Sequence, residues 1–215
     1  MKALKVGLVF LFIPLAALAA ALPEAMFILD ASGSMAEDAG GRTKMAAAQA
    51  VLAQVVPAVA PEVKLGLAAY GHRRENDCTD IEILVPPGTD DRAAVLARIA
   101  AMQPQGMTPI SAAATQVAEL LTGRAAATTL VLVSDGQETC GGDPCATVQA
   151  LKAAGVQFVM HVVGFAVTDA DKAQLECIAQ AGGGNYFGAA DAAALLAALQ
   201  QVNAEIAQKV EQAKT

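Results

Sequence analysis

The sequence predicts an α/β fold: a doubly wound, mostly parallel six-stranded sheet with one antiparallel edge strand and helices on both faces. Three observations carry this prediction. Six strand-length segments, most of them apolar, are interspersed with longer alanine-rich stretches of helical length in the order βαββαβαβαβα. The connections between the runs are mostly long enough to be helical crossovers, which favour parallel strands. One run is short and closed by a proline pair, which suits a sheet edge.

Met26 to Leu29 is the first, buried strand. Thr43 to Val56 reads as a helix, poor in glycine and ended by Pro57, and Val63 to Tyr70 as the second strand. Gly71 to Asp80 is a polar loop, and Ile81 to Val85 is the edge strand, closed by Pro86-Pro87-Gly88. Thr89-Asp90-Asp91 can cap a helix reaching Met102, with acidic residues in its first turn where the helix dipole favours them. Thr108-Pro109 has a cap-then-proline arrangement for a helix to Leu121. Thr128 to Ser134 is the fourth strand, and Asp143-Pro144 repeats the cap-and-proline signal for a helix that stops at Gly155. Gln157 to Phe165 is the fifth strand, Thr168 caps a helix ending near Gly182-Gly183-Gly184, Asn185 to Gly188 is the last strand, and Asp191 starts the terminal helix.

The first residues read as a secretory leader. Met1-Lys2-Ala3-Leu4-Lys5 is basic, Val6 to Ala16 is apolar, and Ala17-Leu18-Ala19-Ala20-Ala21 offers cleavage after Ala19 or Ala21. Residues 1–21 are therefore expected to be a signal peptide and 22–215 one domain. Pro14 and the shortness of the apolar segment argue against a retained membrane span. The protein is expected to be secreted across the cytoplasmic membrane, and periplasmic in a Gram-negative source. Removing Lys2 and Lys5 leaves 12 basic against 21 acidic residues, a balance of −9, which disfavours nucleic acid and anionic membranes as partners.

The chemistry concentrates at strand ends. Asp30-Ala31-Ser32-Gly33-Ser34-Met35 follows the first strand directly, so an aspartate and two hydroxyls at alternate positions leave a buried strand on a tight turn. Such hard oxygen donors suit Mg²⁺ or Mn²⁺. Gly106-Met107-Thr108-Pro109-Ile110 supplies another hydroxyl, and the fourth strand ends in Ser134-Asp135-Gly136. Open α/β sheets bind ligands beyond the carboxyl ends of their strands, where the strand order reverses.

Over these three segments the chain resembles the von Willebrand factor type A (vWA) family, whose Rossmann-like fold carries a metal-ion-dependent adhesion site. The site is built from a D-x-S-x-S loop, a distant threonine and a distant aspartate in that order. The resemblance implies that Ser32 and Ser34 bind one divalent ion directly. Thr108 binds directly or through water, and Asp30 and Asp135 act mostly through water or as single ligands. It also implies an open coordination position, taken by an Asp or Glu carboxylate of a protein partner. A chain this acidic would repel such a partner unless a cation bridged the two. The domain itself is expected to be monomeric.

Near these loops, His72, Arg73, Arg74 and Glu138 are candidates for partner contact or for supporting the metal ligands, with ion pairing to Glu75, Asp77 or Asp80 as the alternative for the basic residues. His161 lies in an apolar strand and reads as a core histidine. Cys78, Cys140, Cys145 and Cys177 follow a leader, so disulfides are expected, with zinc as the competing reading. The strand order the resemblance implies places Cys78 and Cys177 towards opposite ends of the sheet, against their pairing. Cys78–Cys140 with Cys145–Cys177 is preferred, and a Cys140–Cys145 loop with two unpaired thiols is the alternative.

Three functions compete. The first is a non-enzymatic, cation-dependent protein-binding domain. The second is a constitutive structural subunit of an envelope complex with a vestigial or permanently filled site. The third is a Mg²⁺-dependent phosphatase or other hydrolase, which lacks the second aspartate expected where Ser32 stands and the glycines that should flank a nucleophilic Ser34.

Overall fold

The computed structural model describes residues 23–89, 91–124 and 128–214; the expected leader and Asp90 lie outside them. Six strands form one sheet: β1 (Glu24–Asp30), β2 (Lys64–Tyr70), β3 (Ile81–Val85), β4 (Thr128–Ser134), β5 (Phe158–Phe165) and β6 (Gly183–Ala189). Their order is β3-β2-β1-β4-β5-β6, all parallel except the β2–β3 pair. Six helices accompany them: α1 (Lys44–Ala58), α2 (Arg92–Ala101), α3 (Ile110–Leu121), α4 (Pro144–Ala153), α5 (Asp169–Ala181) and α6 (Ala192–Ala213). None of the described helices is long and apolar enough to cross a membrane.

Alternation along the central strands divides the core in two. Ala25, Phe27 and Leu29 of β1 pack with Val51, Leu52 and Val55 of α1, Val95 and Ile99 of α2, and Leu199 and Val202 of α6. Met26 and Ile28 face the other way, onto Val117 of α3, Val148 of α4 and Leu175 of α5. Burying both faces explains why β1 and β4 read as near-continuous apolar runs rather than alternating ones.

The departures from the expected elements are local. Pro57 does not end α1 but sits in its last turn, one residue before Ala58, where it forfeits a single N–H bond to the turn before it and the helix stops directly after. The acidic residues before α2 are not in its first turn; Asp91 is the N-cap and accepts from Ala94 N–H. Thr108-Pro109 does not cap α3 as expected. Pro109 holds the cap position without a side-chain bond, and Glu138 accepts from Ser111 N–H instead. Thr168 is the N-cap residue of α5, but its hydroxyl bonds Asp171 rather than a backbone N–H. β6 is longer than expected because Gly183 and Gly184 join it, Gly184 lying so close to Met160 O that a Cβ would collide. Cys78–Cys140 and Cys145–Cys177 are both bridged, which excludes the Cys140–Cys145 loop and leaves no thiol for zinc.

Candidate metal centre

The strand order reverses between β1 and β4, since the chain leaves β1 towards β2 and β3 but returns through β4 to β5 and β6. Asp30 and Asp135 stand at the carboxyl ends of these two neighbours. Register places Asp30 beside Tyr70 and, one step beyond the Leu29–Val133 pair, beside Ser134. The apolar strands thus end together in a buried polar layer.

Asp30 is fully buried, and three groups hold its carboxylate. Oδ1 accepts from Ser32 N–H at 2.8 Å, while Oδ2 accepts from Tyr70 Oη at 2.9 Å and Ser134 Oγ at 2.6 Å. Burial, and then the charge of Asp135, push its pKa up to about 6 against the hydrogen bonds from Ser134 and Ser32. Burial and the nearby Asp30 charge likewise drive the Tyr70 phenol well above its ordinary value. Two carboxylates are thus held close together in a buried place.

After Asp30 the chain makes a short 3-10 turn, Gly33–Ala36, with Met35 packed inward and the hydroxyls turned to the site. Ser34 Oγ donates to Asp135 Oδ1 at 2.8 Å. Because Ser34 commits its proton there, its 3.1 Å contact with Ser32 Oγ is donated by Ser32. Ser32, Ser34 and Asp135, remote in sequence, therefore form one continuous oxygen cluster.

The Thr108 loop reaches this cluster through a three-way crossing of backbone. Gly33 N–H donates to Gly106 O at 2.9 Å, Gln105 N–H to Ala31 O at 3.1 Å, and Gly106 N–H to Gly71 O at 2.8 Å. Two glycines permit the approach. A Cβ on Gly106 would lie 2.5 Å from Arg74 O and 3.0 Å from Gly71 Cα; one on Gly71, which also has φ +70°, would lie 2.6 Å from Met107 O and 3.0 Å from Ser32 N and Cα. Thr108 is buried, and its backbone pairs with Thr139, whose hydroxyl accepts from Thr108 N–H at 2.8 Å and whose N–H donates to Thr108 O at 3.1 Å.

The surrounding charged residues are engaged with one another and with nearby backbone. Asp80, fully buried, accepts from the backbone N–H groups of Arg73 and Arg74 and from Arg73 Nε at 2.6 Å, which shapes the loop after β2. Arg74 pairs with Asp77 at 3.0 Å, and Arg73 and His72 both meet Glu82 on the edge strand. Arg73 and Arg74 thus pair with Asp80 and Asp77 as the expected alternative has it, whereas His72 meets Glu82, which lies outside the expected partners. Glu138 directs Oε1 to Cys140 N–H and Oε2 to Ser111 N–H, fixing the Asp135 loop onto the start of α3. The two disulfides tie the same loop to the Gly71–Asp80 loop and the helix it leads into to α5.

Sequence reasoning missed Lys44, Tyr70 and Ser134. Lys44 is 7% exposed, and its Nζ lies 2.8 Å from Asp135 Oδ2 and 2.7 Å from Glu37 Oε2. A signal for it existed: a cation in the first position of a helix opposes the helix dipole, so it needs a compensating anion. In the sequence only their place as polar last residues after apolar stretches sets Tyr70 and Ser134 apart.

These residues fit a hard divalent ion. Among the described residues no group of three or more His, Cys, Asp or Glu forms a metal cluster, and the donor set is recognisable only when hydroxyl oxygens are counted. Ser32 and Ser34 keep lone pairs for an ion, while both carboxylates are already engaged by hydrogen-bond donors. That leaves the carboxylates suited to acting through water or through one oxygen.

An open doubly wound sheet with three oxygen-bearing loops meeting at its switch point defines the class of this molecule. The chain belongs to the von Willebrand factor type A domain family, whose model matches residues 25–204. It is 27% identical over 171 residues to the uncharacterized protein YwmD of Bacillus subtilis, covering 75% of this chain and 76% of that one. Among solved structures it is similar to the conserved hypothetical protein BatB from Bacteroides thetaiotaomicron, with TM-score 0.70 at 18% identity over 86% of this chain and 99% of that one. It is also similar to the vWF domain of the type V pili tip protein Mfa5 from Porphyromonas gingivalis, with TM-score 0.66 at 15% identity over 88% and 96%. At these identities the two structures share the fold.

Proposed function

We propose that this chain is a protein-binding domain that works outside the cytoplasm through one divalent cation, Mg²⁺ or Mn²⁺, with a partner's Asp or Glu carboxylate completing the coordination. The observation that carries the reading is the Ser32–Ser34–Asp135 oxygen cluster above buried Asp30 at the sheet's switch point. Ser32, Ser34 and Thr108 would hold the ion, with Asp30 and Asp135 orienting its waters and the two hydroxyls. The ion would supply the positive charge that this acidic surface lacks. Membership of the vWA family and the pilus-tip vWA domain among its structural likenesses support a binding role. Two disulfides support an oxidising compartment, as the expected leader requires. The reading includes no catalysis: the Ser32 and Ser34 hydroxyls bond each other and Asp135, and neither His72, which meets Glu82, nor His161, near Glu205 of α6, bonds them as a base would.

Calorimetric titration of Mg²⁺ and Mn²⁺ into the chelator-treated protein tests the proposal, with Asp30→Ala, Ser32→Ala and Asp135→Ala alongside. One saturable site in the wild type, weakened or lost in every variant, is expected. A folded wild type that takes no ion overturns it. The competing reading, a constitutive structural subunit with a vestigial site, draws on Lys44 already neutralising Asp135. It predicts a stoichiometric partner that survives chelation.

A further inference from the structure

We propose that Lys44 is the site's resident counter-cation, holding a bound divalent ion electrophilic enough to need an outside carboxylate. The inference rests on the metal-dependent reading above and concerns a residue that reading did not require. Lys44 is placed at some cost. It is buried, opens α1 against the helix dipole, and spends Nζ on Asp135 Oδ2 at 2.8 Å and Glu37 Oε2 at 2.7 Å. Glu37 is exposed and keeps much of its hydration, so its pairing with Lys44 is the weaker of the two, whereas the Asp135 side chain is wholly buried and relies on Lys44 for its counter-charge.

The charge count follows from these positions. Asp30 and Asp135 together carry two negative charges and would neutralise a divalent ion without help, leaving no electrostatic reason to recruit a third carboxylate. Lys44 cancels one of them, so the loaded site retains one net positive charge that an Asp or Glu can satisfy. Lys44 also orients Asp135: with Oδ2 committed to the ammonium, Oδ1 is left to Ser34 and would be the oxygen available to an ion. The same cation opposes metal entry. Affinity for the ion is thereby lowered, and affinity of the ion for an anion is raised.

Lys44→Met removes the charge and retains an unbranched, helix-compatible side chain; Lys44→Arg retains the charge. Mn²⁺ binding is followed by water-proton relaxation on the full chain, and acetate is then added to displace ion-bound water as a probe carboxylate. Thermal unfolding checks that each variant is folded. Lys44→Met is expected to bind Mn²⁺ at least about tenfold more tightly and to need at least about tenfold more acetate, the scale of one unit charge beside a partly buried ion. Lys44→Arg should stay near the wild type in both. A merely structural lysine would weaken Mn²⁺ binding in Lys44→Met together with stability, which overturns the proposal. So does an unchanged Mn²⁺ affinity, an unchanged acetate requirement, or an ion in the wild type whose water acetate cannot displace. If the wild type takes no ion, the metal reading fails. The antagonism assigned to Lys44 then survives only if Lys44→Met takes one, and falls if it does not.

Discussion

Gly71→Ala tests whether the site depends on close backbone crossing. Two separable costs arise at this position. Its φ of +70° is the left-handed region, which costs an alanine roughly 1–2 kcal/mol. The new Cβ would meet Met107 O at 2.6 Å and Ser32 N and Cα at 3.0 Å, all backbone, so the Ser32 loop and the Thr108 loop must part by several tenths of an ångström. Overpacking of this kind costs roughly 1–3 kcal/mol. Two controls separate the terms. Gly41 has φ +91° with nothing within 4 Å, so Gly41→Ala carries the backbone cost alone. Gly106 lies outside the left-handed region, but its Cβ would come 2.5 Å from Arg74 O, so Gly106→Ala carries the steric cost alone. Urea unfolding of the chelated protein should therefore give losses of about 1 kcal/mol for Gly41→Ala, about 2 for Gly106→Ala and about 3 for Gly71→Ala. In thermal melts the last corresponds to a drop of about 6–12 °C for a domain of this size. A Gly71→Ala protein no less stable than Gly41→Ala would refute the crossing.

Tyr70→Phe removes the hydroxyl that donates to Asp30 Oδ2 at 2.9 Å and leaves the ring in place; it should cost about 1.5–3 kcal/mol in chelator, the range for a hydrogen bond to a charged group, measured by urea unfolding. Reaching the same midpoint as wild type would show that Ser134 and Ser32 suffice for Asp30. Burial lowers the pKa of His161, the nearby Lys209 adding to this and Glu205 opposing it, so the unfolded chain binds the proton more tightly. Stability should fall as pH drops below about 6.5 and level off below the folded value, and His161→Gln should flatten that slope. Asp30, raised to about 6, acts with the opposite sign, favouring the fold as pH falls towards 4, so the comparison must be wild type against His161→Gln in chelator. Opening the 62-residue Cys78–Cys140 link with paired serines should cost about 4 kcal/mol in the chain-entropy view. It should also weaken ion binding, because it frees the loop that carries Asp135; unfolding and calorimetry on the same variant would show a stability loss without an affinity loss if the bridge does not hold the site.

The strands were legible in the sequence for a physical reason, since a parallel sheet covered on both faces needs uninterrupted apolar runs and an aspartate ending such a run has few structural uses; their order followed only from the family resemblance. Asp30, Ser32, Ser34 and Asp135 could be named from strand ends, and the structure brings Ser32, Ser34 and Asp135 into direct contact above Asp30. Cap motifs were legible where a local side chain accepts from its own helix's first turn, as at Asp143 and Asp191. They failed at Thr108, where tertiary structure offered Glu138 from 27 residues away for the backbone of Ser111. No local pattern encodes that partnership. Likewise, the pairing of Lys44 with Asp135 spans 91 residues, and nothing near Lys44 in the chain indicates which carboxylate will compensate it.

The arrangement of donors bears on why a binding site would be made this way. Had Ser32 and Ser34 been carboxylates, the site would approach a closed cage with enough charge to hold a dication outright and nothing to ask of a partner. Neutral hydroxyls solve half of that problem. The other half lies in how the two remaining carboxylates are restrained: Asp30 accepts three hydrogen bonds from Ser32, Tyr70 and Ser134, and Asp135 is divided between Ser34 and Lys44. Each bond withdraws a lone pair that could otherwise close on an ion. The buried polar layer therefore does more than satisfy two aspartates. Under the proposed function it keeps the ion under-compensated, so that binding of the metal and binding of an acidic partner reinforce each other at one point of the surface.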